Sequence, residues 1–185
     1  MRQLIIIILL ATGFTITVNA QELSSNPIHA NEVKLNIMNT IVLGSLELGY
    51  EHFIDQNQSI GAEIHLFDRF AYVSDQREGR SFDATSYLLG FNYYFVSPGN
   101  PSGFYVSPFI KYRTGTFTEI GENDLSLETE LNSFIIGMGG GYKWVHNDKF
   151  ALGPYVNIAR GFNEDVSMRF RPVEFKAGFS IGFRF

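Results

Sequence analysis

The stretch Val173-Glu174-Phe175-Lys176-Ala177-Gly178-Phe179-Ser180-Ile181-Gly182-Phe183-Arg184-Phe185 alternates without a slip. Val173, Phe175, Ala177, Phe179, Ile181, Phe183 and Phe185 fall on one side of a strand, with Glu174, Lys176, Gly178, Ser180, Gly182 and Arg184 on the other. A strand of a water-soluble sandwich also alternates, but its apolar side is usually a mixture of Val, Ile and Leu. Here that side is mostly phenylalanine. Large rings on one face, with charge and glycine on the other, suit a strand whose rings meet hydrocarbon and whose polar face lines a crowded interior.

The same period recurs upstream. Val33, Leu35 and Ile37 oppose Lys34 and Asn36, and a turn is expected around Met38 to Gly44. Leu46, Leu48 and Tyr50 oppose Ser45, Glu47, Gly49 and Glu51; Ile60, Ala62, Ile64 and Leu66 oppose Gly61, Glu63, His65 and Phe67. Tyr87 to Phe95 and Phe104 to Arg113 repeat the split, as do Leu131 to Val145 and the stretch from Phe150 to Ile158. The reading is eight strands and no helix. Pro108 and Pro154 sit inside two of these strands, and since proline donates no ladder bond, a bulge or one missing bond is expected at each.

The connections run short, short, long, short, long, short, long. Asp55-Gln56-Asn57, Ser97 to Gly103 and His146-Asn147-Asp148 are tight turns, whereas residues 70–83, Gly115 to Glu130 and Arg160 to Arg169 are long and polar. A hairpin meander threaded through a bilayer has this asymmetry between its two ends. An unpaired backbone amide costs several kcal/mol in lipid, so the sheet must close, and Val173 to Phe185 should pair with Val33 to Met38. The fold expected is an all-β, eight-stranded antiparallel up-and-down transmembrane β-barrel, its narrow lumen filled by side chains.

Composition agrees and excludes several classes. Eighteen Phe and nine Tyr against one Trp favour strands, and 185 residues suffice for one domain. With no cysteine there is no disulfide framework, thiolate metal site or lipid-modified N-terminal cysteine. A net charge of −5 gives no electrostatic reason to expect nucleic acid as a partner. Met1-Arg2-Gln3, the apolar run Leu4 to Ala11 and Val18-Asn19-Ala20 have the parts of a cleavable secretory signal over residues 1–20. Residues 21–30 carry no periodicity and read as a flexible lead-in, leaving the barrel to residues 31–185.

These features together resemble the small outer-membrane β-barrel families of Gram-negative bacteria, OmpA/OmpX-type in architecture. Gly44-Ser45-Leu46-Glu47-Leu48-Gly49-Tyr50-Glu51 is similar to segments of the Bacteroidetes versions in particular. The resemblance implies a place in the cell outer membrane among lipid and lipopolysaccharide, and no shared catalytic residue. It also implies that Phe179, Ile181, Phe183 and Phe185 are read by the barrel-insertion machinery as an assembly signal.

Charged residues on the inward faces are the candidate site. Glu47, Glu63, His65, Lys111, Arg113, Glu174 and Lys176 are expected toward the loop end of the lumen, with Glu51, Lys143 and Arg184 also inward. Buried charge is costly unless paired, so a salt-bridged plug is expected; a narrow ion path is the sharper alternative. His65 beside Glu63 resembles part of a hydrolase triad but faces the lumen, so no enzymatic activity is expected. His29, His52, His65 and His146 lack ligand spacing, so neither a metal nor another cofactor is expected. Five acids, Glu119, Glu122, Asp124, Glu128 and Glu130, are expected to be solvated, with calcium or lipopolysaccharide-bridging cations as the alternative.

Gly137-Met138-Gly139-Gly140-Gly141 opens no helix and reads as interior space for bulky neighbours rather than a phosphate cradle. Tyr50, Phe53, Tyr87, Phe95, Phe104, Tyr112, Tyr142, Trp144 and Phe150 are expected in interfacial girdles. The role expected is structural, adhesive or surface-interacting, in a protein expected to be a monomer. The rival is a secreted lipocalin-like barrel that binds a small ligand, to which Gly141-Tyr142-Lys143-Trp144 gives a weak Gly-x-Trp likeness far from the first strand. The two differ in facing, because a binding barrel would turn Phe175, Phe179 and Phe183 inward.

Overall fold

The computed structural model describes residues 29–69, 80–97, 100–120, 126–163, 166, 168 and 170–185. The stretch expected to be a cleavable signal and nearly all of the expected lead-in therefore lie outside the described residues, as do Glu122 and Asp124 of the acidic run. The elements are β1 (Asn31–Asn36), α1 (Ile37–Leu43), β2 (Leu46–Phe53), β3 (Gln58–Leu66), β4 (Arg80–Ser97), β5 (Asn100–Ile120), β6 (Ser126–Glu130), β7 (Ser133–His146), β8 (Phe150–Phe162) and β9 (Val173–Arg184).

Every strand pairs antiparallel with its neighbour, and β9 pairs with β1 to close the sheet. The closing seam runs from Glu32 opposite Arg184 to Asn36 opposite Ser180, and Asn31 and Phe185 exchange backbone bonds of 3.1 and 2.9 Å. It joins the two stretches expected to meet. β6 and β7 share one register on β5, with Thr116 facing Glu130 and Arg113 facing Ser133, so they form a single stave interrupted at Leu131 and Asn132. The barrel has eight staves.

Its stagger follows from the register. Starting at Glu174 and stepping through Ala159, Gly137, Phe109, Gly90, Gly61, Glu51 and Glu32 leads back to β9 at Arg184, ten residues farther along. Eight staves with a stagger of ten give a tilt of about 40° and a backbone radius of about 8 Å, taking a strand spacing of about 4.7 Å and a rise of about 3.3 Å per residue. That radius leaves room for side chains and little else.

The facing is as the alternation requires. Phe175, Ile181, Phe183 and Phe185 are exposed, Phe175 by 56%, and the outer surface carries exposed apolar side chains on every stave. Tyr50, Tyr87, Phe95, Phe104, Tyr112, Tyr142, Trp144 and Phe150 also point outward. Phe53 does not. It is buried against Tyr94, ring centroids 5.8 Å apart, because it shares the parity of inward Glu51.

Both prolines interrupt a ladder without shifting its register. On β4 the pairs resume at Tyr93–Val106 after Gly90–Phe109, leaving a gap beside Pro108; on β7 they resume at Trp144–Leu152 after Gly141–Tyr155, leaving a gap beside Pro154. The outcome is lost bonds rather than bulges. Proline removes a donor but adds no residue, so the strands on either side stay in phase.

Other expectations need correction, among them the long loop over residues 70–83, since β4 already begins at Arg80. Met38 to Gly44 is not a simple turn, because Ile37–Leu43 is a helix, N-capped by Asn36 and ended by Gly44 at φ 67°. Gly115 to Glu130 is not all loop either. β5 runs on to Ile120 and β6 returns from Ser126, bringing Glu119, Glu128 and Glu130 onto strands. Phe67, expected inward, is exposed, since its φ of 55° breaks the alternation and turns Asp68 into the lumen in its place.

The extended β4–β5–β6 sheet rises past the other staves and carries its own apolar cluster. Ala84, Phe117, Leu131 and Val166 are buried there, with Phe170 edge-on to Phe117 at 5.3 Å. Val166 and Phe170 come from the β8–β9 connection.

Candidate functional site: a lumen filled with paired charge

Inward parity on eight staves sends acids and bases into one narrow space, where burial strengthens their attraction and penalises any charge left alone. At the loop end Arg113, fully buried, grips Glu174 with both terminal nitrogens at 2.7 and 2.9 Å and reaches Asp68 at 3.1 Å. Lys111 lies between the same two carboxylates, 3.0 Å from Glu174 and 3.4 Å from Asp68. Lys176 continues the chain, 2.5 Å from Glu47, 3.0 Å from Asp68 and 3.5 Å from His65. His65 is 3.0 Å from Glu63, and Glu63 holds Lys34 at 2.6 Å.

All seven residues expected at this end thus fall into one network. Once Asp68 and Lys34 are added it contains four carboxylates matched by four lysine and arginine cations, with His65 as its ninth member. Lys34 shares parity with Asn36 and was legible as inward. Asp68 was not, because strict alternation from His65 points it outward, and only the left-handed turn at Phe67 reverses it.

A second layer closes the turn end. Lys143 bridges Glu32 at 2.9 Å and Glu51 at 2.8 Å, and Arg184 joins Glu32 at 2.9 Å to Asp148 at 3.1 Å. The Arg184 guanidinium stacks 4.4 Å from the Phe53 ring centre, and the Lys143 ammonium sits 5.0 Å from that of Tyr94. These contacts favour cations over aromatic faces where water is scarce. Glu51 also accepts from Ser59, Asn92 and Tyr94.

Between the layers is a cavity of about 50 Å³, lined in part by Lys34, Glu47, Glu63, Tyr105, Tyr155 and Asn157, which is space for a few waters. Glycine makes room for the large lumen side chains. A Cβ on Gly178 would lie 2.4 Å from the Tyr155 hydroxyl, and one on Gly137 would lie 2.2 Å from the Phe109 ring. The glycine-rich run of β7 therefore supplies interior space, as its sequence suggested. Among the described residues, no buried side-chain nitrogen or oxygen lacks a hydrogen-bond partner.

Two chemistries can be weighed on this geometry. Glu47, His65 and Asp68 each bring a donor atom within 4.8 Å of the others, a trio able to hold a cation. The Lys176 ammonium already contacts all three. His65 contacts Glu63 and Lys176, while the hydroxyl of Ser86, its register partner on β4, donates to Asp68 at 2.6 Å. Among the described residues, the partners of the imidazole are Glu63 and Lys176 and not a hydroxyl of the kind that general-base activation of a serine uses.

No family model matches the sequence, and no curated protein matches it. Among solved structures, the N-terminal β-barrel domain of Pseudomonas aeruginosa OprF aligns with a TM-score of 0.54 at 15% identity, over 84% of this chain and 96% of that one. Neisserial surface protein A aligns with a TM-score of 0.46 at 12% identity, over 83% and 91%. At 15% identity the likeness to the OprF domain is one of fold. The chain is a closed eight-stranded antiparallel barrel with the fold of small outer-membrane barrels of the OmpA-like type.

Proposed function

We propose that this chain is an integral outer-membrane protein whose barrel is a non-enzymatic structural or surface-interacting element with a closed lumen. The observation that carries the reading is the inversion of polarity: exposed rings outside, an internally neutralised charge network inside. A lipocalin-like binding barrel requires the opposite facing. The partners follow from the same surface. Acyl chains meet the ring-bearing belt, lipopolysaccharide meets the loop end, and the barrel-insertion machinery reads the outward row Phe179, Ile181, Phe183 and Phe185.

Fractionation of cells expressing the full chain, with gel mobility compared before and after boiling, tests the location. The expected result is a heat-modifiable band confined to the outer membrane. A soluble protein that stays monodisperse without detergent would overturn it. Phe185→Ala separates assembly from stability: less of the chain reaches the heat-modifiable form in cells, while the assembled fraction unfolds at the urea concentration of the parent. An unchanged yield would remove Phe185 from the signal.

A further inference from the structure

The wall of the barrel is not made of strands throughout. β1 ends at Asn36, opposite Ser180 of β9, yet β9 continues upward for seven residues to Val173. Phe175, five residues above Ser180, is still an exposed ring of the apolar belt. Five residues along a strand tilted by about 40° amount to about 13 Å of height. Over that height, among the described residues, β9 has no strand partner on its β1 side, and β2 likewise begins its pairing with β1 only at Leu48. The element standing in this window is α1.

The helix is built for such a place. Met38, Ile41 and Val42, at the i, i+3, i+4 spacing of one helical face, are exposed, Ile41 by 79% and Val42 by 68%. The opposite face is polar and buried. Asn39 donates to Glu47 at 3.1 Å and to the Tyr155 hydroxyl at 3.2 Å, and Asn36 donates to Glu47 at 2.6 Å. Each end of the helix carries a cap, since Asn36 accepts from the Asn39 amide at one end and the Asn39 carbonyl accepts from the Gly44 and Ser45 amides at the other. A helix needs no neighbouring strand for its backbone bonds, so it is the element that can stand in the wall where a strand has lost its partner. Behind it lies the lumen cavity, whose lining includes Asn36, Glu47 and Ser180.

We propose that α1 is a membrane-embedded closure of a lateral window between β9 and β2, its Met38–Ile41–Val42 face in contact with acyl chains and its asparagine face sealing the lumen cavity. The proposal rests on the reading of the barrel as membrane-embedded. A loop helix above the membrane would instead present these three side chains to water.

The natural absence of cysteine allows a clean test. Ile41→Cys, Val42→Cys and, on the strands, Phe175→Cys and Ile136→Cys are each labelled with a fluorophore in the full chain, folded into phosphatidylcholine vesicles. Heat-modifiable mobility certifies that each labelled protein is folded, and two α1 positions guard against the loss of one. Quenching by acyl-brominated lipid at Ile41 or Val42 is expected within about twofold of that at Phe175, with little quenching by aqueous iodide. Iodide quenching at the α1 positions, with lipid quenching kept at Phe175 and Ile136, would overturn the closure alone. Loss of lipid quenching at all four positions would overturn the membrane reading itself.

Discussion

Asp68 joins three cations, Lys111, Arg113 and Lys176, and also accepts from Ser86. Removing a carboxylate from such a site leaves buried positive charge without compensation, which costs about 3–5 kcal/mol. Asp68→Ala should therefore lower the urea midpoint of the folded barrel far more than Asp55→Ala in the β2–β3 turn, where the lost bond is one side-chain cap on Asn57 at 2.7 Å. Equal midpoints would mean that the network is not what holds the loop end together. The residue was invisible to period-two reading for a definite reason. Alternation holds only while φ stays negative, and one left-handed residue, Phe67, exchanges the faces of everything just beyond it.

At the scale of elements, the constraint is how closely neighbouring staves approach. A Cβ on Gly153 would come within 1.8 Å of the Tyr142 carbonyl oxygen, backbone that cannot move aside, whereas one on Gly61 meets nothing nearer than the Asn92 amide at 3.6 Å. Gly153→Ala should destabilise the barrel by about 1–3 kcal/mol or prevent its folding, and Gly61→Ala should shift the urea midpoint little. Matching effects of the two would show that loss of glycine freedom, not the approach of β8 to β7, sets the cost. Strand identity was legible here because each stave repeats the same two-residue contrast. Helix α1 was not, although Met38, Ile41 and Val42 have helical spacing, because seven residues are too few to separate one helical turn from a reverse turn.

For the molecule as a whole, two charge layers and an apolar cluster at the loop end lie across the path through the barrel. In planar lipid bilayers the folded protein should give no discrete conductance steps. Regular, ion-selective steps at low voltage would favour the narrow-pore alternative and show that the salt bridges open. On the proposed membrane placement closure follows from solvent, since a sheet edge in hydrocarbon has nothing with which to pair, and the Asn31–Phe185 and Glu32–Arg184 pairs remove that edge at the turn end.

The sequence by itself determined the number of staves, the outward side of each, the pairing of the last with the first and the presence of opposite charges in the lumen. Each of these depends only on side-chain parity and on what lipid forbids. Tertiary structure alone decided the stagger of ten, the entry of Asp68 into the network, the extension of β5 and β6 beyond the other staves and the placing of α1 in the wall. Those depend on register and on single backbone angles, which are fixed when the staves meet and leave no periodic trace in the chain.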